Sequence, residues 1–173
     1  GSVVTLAHEL GHAYHGQQIQ NHRPLNTGYT MPVAETASNF NELIIVNDAI
    51  AKSEGEEKIQ LIESQLQDCT QIIVDIYSRF LFEDEVIRRR NSTFMFAKDL
   101  EELMINAQKE AFGDALDPEY MHPYMWCCKS HYYRAGLSYY NFPYAFGGLF
   151  SRGLYAKYLE EGEDFLPKYR ALL

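Results

Sequence analysis

Two histidines, His8 and His12, stand four residues apart with Glu9 between them, in a stretch that has every property of a helix. Val3 to Gln18 contains no proline and sets Leu6, Leu10, Ala13 and Tyr14 at helical spacing. On a helix, residues four apart share a face, one turn above each other. His8 and His12 therefore aim two imidazoles at one point. Glu9 is turned from them but lies close enough to reach a metal-bound water. Each letter of H-E-x-x-H has a mechanical reason at that spacing. Two imidazoles alone do not make a catalytic zinc site, which takes three protein ligands and keeps a fourth position open. Pairs of histidines also occur as ordinary surface or core residues. The rest of the chain has to supply the third ligand.

The 173 residues fall within the range of one domain, and 46% of them are hydrophobic, enough for a substantial core. A net charge of -9 and a pI near 5.1 argue against nucleic acid as a partner, because a phosphate-binding surface is basic. Cys69, Cys127 and Cys128 form neither a disulfide framework nor a CxxC knuckle, and an odd count fits a reducing compartment. There is no signal peptide and no apolar run near 18 residues, so neither secretion nor a membrane span is supported. A cytoplasmic location is expected. The metal-binding pattern begins barely two turns from Gly1, and the chain stops at Leu173 in mid-pattern. The expectation is a single catalytic domain over 1–173, cut from something longer at the first end and also at the second.

The pattern predicts an all-α chain. The first helix ends near Gln18 to Asn21, and Asn21 to Pro32 reads as a loop around Pro24 and Gly28. Pro32 suits the entry of a second helix, from about Val33 to Lys52, which Gly55 breaks. A long third helix is expected from Glu56 to Arg90, with Ile59, Ile62, Leu66, Ile73, Ile76, Phe80 and Ile87 as its apolar stripe. Arg88 to Arg90 at its end complement the helix dipole. Ala97 to Phe112 reads as a fourth helix closed by Gly113, and Asp114 to Cys128 as irregular and aromatic. His131 to Pro143 is rich in tyrosine, Tyr144 to Glu161 reads as a further helix, and Phe165 to Leu173 as the start of another. No alternating strand pattern, internal repeat or low-complexity segment is visible.

The second helix carries Glu35 and Glu42 two turns apart on one face, among Phe40, Leu43 and Ile44. Two readings stand side by side. The acids are solvated helix carboxylates, or a carboxylate of this helix is the third zinc ligand. In the second case Glu42 accepts the free N–H of His8 or His12 and fixes its tautomer.

At this point the chain resembles a family. His8 to His12, followed by Ala34-Glu35-Thr36-Ala37-Ser38 and Glu42, is similar to oligoendopeptidase F, within the thimet-oligopeptidase-like zinc peptidases. The stretch from His131-Tyr132-Tyr133 through Tyr139-Tyr140-Asn141-Phe142-Pro143-Tyr144-Ala145-Phe146-Gly147 resembles the C-terminal active-site segment of that family. The resemblance implies that His8, His12 and Glu35 bind one zinc ion and that Glu9 is the general base. It also implies that His131, Tyr140 and Tyr144 steady the substrate carbonyl and the transition state. Phe142 departs from the tyrosine found in many members. The family's chains are several times longer, with an N-terminal helical part that forms the opposite wall of a deep channel.

The implied activity is a zinc-dependent endopeptidase acting on short peptides. A zinc carboxypeptidase of related helical build also uses H-E-x-x-H and a glutamate. A third reading is a helical domain that binds zinc without cleaving anything. His15, three residues beyond His12, would crowd the site, and His22 and His122 lie in loops near prolines. All three read as surface histidines rather than ligands.

Overall fold

A computed structural model describes residues 2–173, which are helical throughout apart from turns and short loops, with no strand among them. The all-α expectation holds. The α-helices are α1 (Ser2–Ile19), α2 (Met31–Lys52), α3 (Gly55–Thr70), α4 (Ile76–Arg90), α5 (Ala97–Phe112), α6 (Phe142–Glu161) and α7 (Leu166–Leu172). Pro32 sits in the first turn of α2, where its missing N–H has no intrahelical partner to lose. Gly113 takes φ of +54° and stops α5 at little steric cost, while Gly55, at φ +57°, opens α3 two residues after the extended Ser53 that ends α2. No described helix is long and apolar enough to cross a membrane.

The chain clusters into two compact units, Gly1–Gln67 with Pro143–Leu173, and Asp68–Phe142. In the first, α1 lies along α2, and the core is aromatic. Phe40 of α2, Phe165 and Tyr169 are buried together, with Tyr14 of α1 and Leu154, Tyr155 and Tyr158 of α6 packed against them. The Tyr14 and Tyr169 rings are stacked at 6.3 Å, and Arg170 Nε donates to Tyr14 Oη at 3.1 Å. His15 belongs to this interior. It is 1% exposed, and its ring lies 4.1 Å from that of Tyr29. Burial holds its pKa below the ordinary histidine value. The expectation of a surface histidine is corrected for His15, whereas His22 and His122 are exposed.

In the second unit, Phe82 of α4 packs with Leu103, Met104 and Ala107 of α5. Trp126, Tyr132 and Met125 from the irregular segment cover that core. The side-chain amide of Gln108 pins this segment to α5, donating to His122 O at 2.9 Å and accepting from His122 N at 3.3 Å. Tyr132 Oη donates to Arg79 O at 3.1 Å, and Glu83 Oε1 accepts the Tyr139 N–H at 2.8 Å. A segment without regular hydrogen bonding has to satisfy its backbone through side chains.

The expected third helix is interrupted. Gln71–Asp75 form a π-turn between α3 and α4. The extra residue in that turn rotates everything after it relative to a regular helix. Of the expected stripe only Ile76 is buried, while Ile59, Ile62, Leu66, Ile73 and Phe80 are exposed. The buried side of α4 carries Ile76, Ser78, Phe82 and Glu83 instead.

Candidate metal centre

Close approach of α1 and α2 builds the site. Gly11, between the two histidines, is buried against Ala37 and Ser38, which are 0% exposed. A Cβ at Gly11 would fall 2.5 Å from both Ala37 O and Ser38 Cα, so the two backbones touch where a side chain would stand. Glu35 lies on the α2 side of that contact. Across from it, a Cβ at Gly147 of α6 would come within 2.8 Å of Glu35 Cβ and 3.1 Å of Asn39 Nδ2. Glu35 is thus held between α1 and α6 by two glycines.

His8, His12 and Glu35 each place one donor atom within 4.8 Å of the others, and all three are half-buried. His12 Nε2 is 3.1 Å from His8 Nε2, and Glu35 Oε2 is 3.5 Å from His8 Nε2 and 3.6 Å from His12 Nε2. Ligands about 2.0–2.1 Å from a tetrahedral zinc ion stand about 3.3–3.4 Å from one another. The three edges bracket that length. The donor set fits as well, with two imidazoles and one carboxylate, and three protein ligands leave a fourth position for water or substrate.

The groups behind these atoms orient them. His8 Nδ1 donates to Glu42 Oε1 at 2.5 Å, which puts the ring proton on Nδ1 and turns the Nε2 lone pair toward His12 and Glu35. Of the two histidines open to Glu42 in the sequence, the structure pairs it with His8. The Ser38 hydroxyl, buried at 0%, lies 3.0 Å from Glu35 Oε2 and 3.0 Å from Glu35 O. Ser38 was not visible as a site residue, although a hydroxyl three residues after an acid on a helix is a legible signal. Glu42→Gln keeps an acceptor for His8 Nδ1 but removes its charge. We expect zinc affinity to fall about 10–100-fold with the helix content unchanged. Competition against a chelating dye measures this, and an unchanged affinity would refute the assigned role of Glu42.

Glu9 follows His8 on α1 and is exposed. Tyr144 is half-buried on α6, one turn before Gly147 and so on the side of that helix facing Glu35. His131 and Tyr140 lie in the second unit, with ring centroids 6.0 Å apart. His131 Nε2 is 2.6 Å from Asn141 Nδ2. Burial and the nearby Arg79 and Lys129 charges hold the His131 pKa below the ordinary histidine value. Phe142 is 54% exposed.

No curated protein and no solved structure matches the chain significantly. A family model does match, over nearly the whole of this chain. Its residues 1–171 span the histidine helix, Glu35 and the tyrosine-rich segment, and by that match the chain belongs to peptidase family M3, whose members are zinc-dependent peptide-bond hydrolases.

Proposed function

We propose that this chain carries the active site of a zinc-dependent endopeptidase of the oligoendopeptidase F type, cleaving short oligopeptides in the cytoplasm. His8, His12 and Glu35 hold one zinc ion, and Glu9 is the general base. The observation that supports this best is the triangle of donor atoms at 3.1, 3.5 and 3.6 Å, built by residues of two helices 23 positions or more apart in sequence. The free cysteines accord with a reducing compartment.

Zinc, when bound, supplies a Lewis acid that polarises the scissile carbonyl and lowers the pKa of water toward neutrality. Glu9 takes a proton from the attacking water as its oxygen bonds to the carbonyl carbon. The same carboxyl then passes that proton to the amide nitrogen as the C–N bond breaks, leaving a free amine and a carboxylic acid. Exposure of Glu9 leaves its carboxylate open to water and substrate. Oxyanion charge needs hydrogen-bond donors, and His131, Tyr140 and Tyr144 supply imidazole and phenol donors in this reading. Loss of one such donor costs about 2.7–4 kcal/mol of barrier.

The test is a peptide blocked at both ends, carrying a fluorophore and a quencher. Internal cleavage is expected, abolished by a zinc chelator and restored by added zinc. An untouched blocked peptide alongside cleavage of the free-ended one would replace the endopeptidase by a carboxypeptidase. Stoichiometric zinc with no cleavage of either would leave a metal-binding domain without catalysis.

A further inference from the structure

We infer that Arg79 and Asn141 fix His131 as the neutral tautomer with its proton on Nδ1, so that this imidazole meets a ligand as a hydrogen-bond donor. The consequence for catalysis rests on the peptidase reading, whereas the tautomer itself does not.

Four side chains of one unit, Asp75, Arg79, Asn141 and His131, form a connected network. Arg79 of α4 is paired with Asp75, one helical turn earlier, and the two side chains are 13% and 14% exposed. A guanidinium has only donors. Its Nη1 lies 3.3 Å from the side-chain amide of Asn141, which is itself 5% exposed. The atom of Asn141 facing Arg79 therefore has to be the carbonyl oxygen, and the amide orientation follows from chemistry rather than from electron count. The amide NH2 is then turned to His131 Nε2 at 2.6 Å. An NH2 group donates, so Nε2 has to accept and carries no proton. One proton remains for a neutral imidazole, and it sits on Nδ1.

The surroundings oppose the charged form. An imidazolium would set an N–H of His131 against the N–H of Asn141. Burial, Arg79 and Lys129 all lower its pKa, and Asp75 is paired with Arg79. The Tyr132 ring packs at 4.2 Å and that of Tyr140 at 6.0 Å, and burial raises the Tyr132 pKa so that its phenol stays neutral. His131 is thus a donor that does not depend on picking up a proton from solvent. Such a donor suits a carbonyl oxygen gaining negative charge, because its hydrogen bond strengthens as the charge develops and no reorganisation is required. Asn141 and Arg79 are positioning residues in this scheme.

Histidine labelled with 15N in the intact chain reports the tautomer directly. Long-range 1H–15N correlation distinguishes a protonated ring nitrogen from a bare one, and the His131 signals are those lost in His131→Gln. Wild type at pH 7.5 is expected to show a protonated Nδ1 and a bare Nε2. In Asn141→Asp the new carboxylate accepts instead of donating. The pattern is expected to move to a protonated Nε2, with the His131 titration displaced upward. A wild-type spectrum with the proton on Nε2, or an Asn141→Asp spectrum identical to wild type, overturns the inference. Should Asn141→Asp not fold, the wild-type spectrum alone decides. In the peptide assay Asn141→Asp is expected to lower kcat about 100-fold with little change in KM, as loss of an oxyanion donor does. The spectra require neither zinc nor substrate, so failure of the peptidase reading leaves them standing, and failure of the tautomer leaves the zinc site standing.

Discussion

Glu9→Gln is expected to keep its zinc and lose turnover by about 10²–10⁴-fold, the range that a positioned general base contributes. Glutamine preserves the length and shape of the side chain but cannot take a proton from water at neutral pH. Glu9 is exposed, so the substitution disturbs no packing and stability should stay within about 0.5 kcal/mol of wild type. The three donor atoms of His8, His12 and Glu35 are untouched, and metal content should remain at one ion per chain. Metal analysis and cleavage of the blocked peptide, run on the same preparation, separate the two effects. Turnover within tenfold of wild type would remove Glu9 from the mechanism, and loss of zinc along with activity would make it a structural residue.

Gly11→Val is expected to dismantle the metal centre itself. The new side chain meets Ala37 O and Ser38 Cα at 2.5 Å, and both are backbone atoms with no rotamer to change. The helices have to separate. Overpacking of this kind costs about 1–3 kcal/mol, and for a chain of this size that lowers Tm by about 2–12 °C. The chemical cost is larger. A misplacement of about 1 Å costs about 100-fold in rate, and Glu35 moves with α2 away from both histidines. Zinc affinity and activity should therefore fall together by about 100-fold or more. Gly16→Ala on the same helix is the control, since its Cβ meets nothing within 4 Å and alanine favours a helix over glycine by about 0.8–1.0 kcal/mol. It should leave the site intact and raise Tm slightly. Gly147→Ala falls between the two, because its Cβ presses on Glu35 Cβ at 2.8 Å and Asn39 Nδ2 at 3.1 Å. Equal behaviour of Gly11→Val and Gly16→Ala would show that the backbone contact does not govern the site.

Helices that depend on local signals were legible in the sequence. Pro32 starts α2, Gly55 separates it from α3, and Gly113 closes α5, because proline and glycine act on their own backbone whatever surrounds them. The π-turn at Gln71–Asp75 was not legible. Nothing in those five residues forbids a regular helix, and the turn decides which side of α4 is buried. The burial of His15 was hidden for a similar reason. Its ring lies against Tyr29, 14 positions away in a separate loop, so no local rule could remove it from the surface.

The candidate metal site divides along the same line. Spacing alone set His8 and His12 on one face of α1, since a helix repeats every 3.6 residues and four positions return to nearly the same direction. The sequence by itself also put Glu35 and Glu42 on one face of α2, but it left open which acid turns to both imidazoles and which imidazole has a partner behind it. Those choices belong to the distance between helices. Gly11 against Ala37 and Ser38 brings Glu35 Oε2 to within 3.6 Å of both imidazoles and leaves Glu42 to hold His8 from behind. A periodic chain determines the direction in which each side chain points, and only packed backbones determine how far apart two such directions begin.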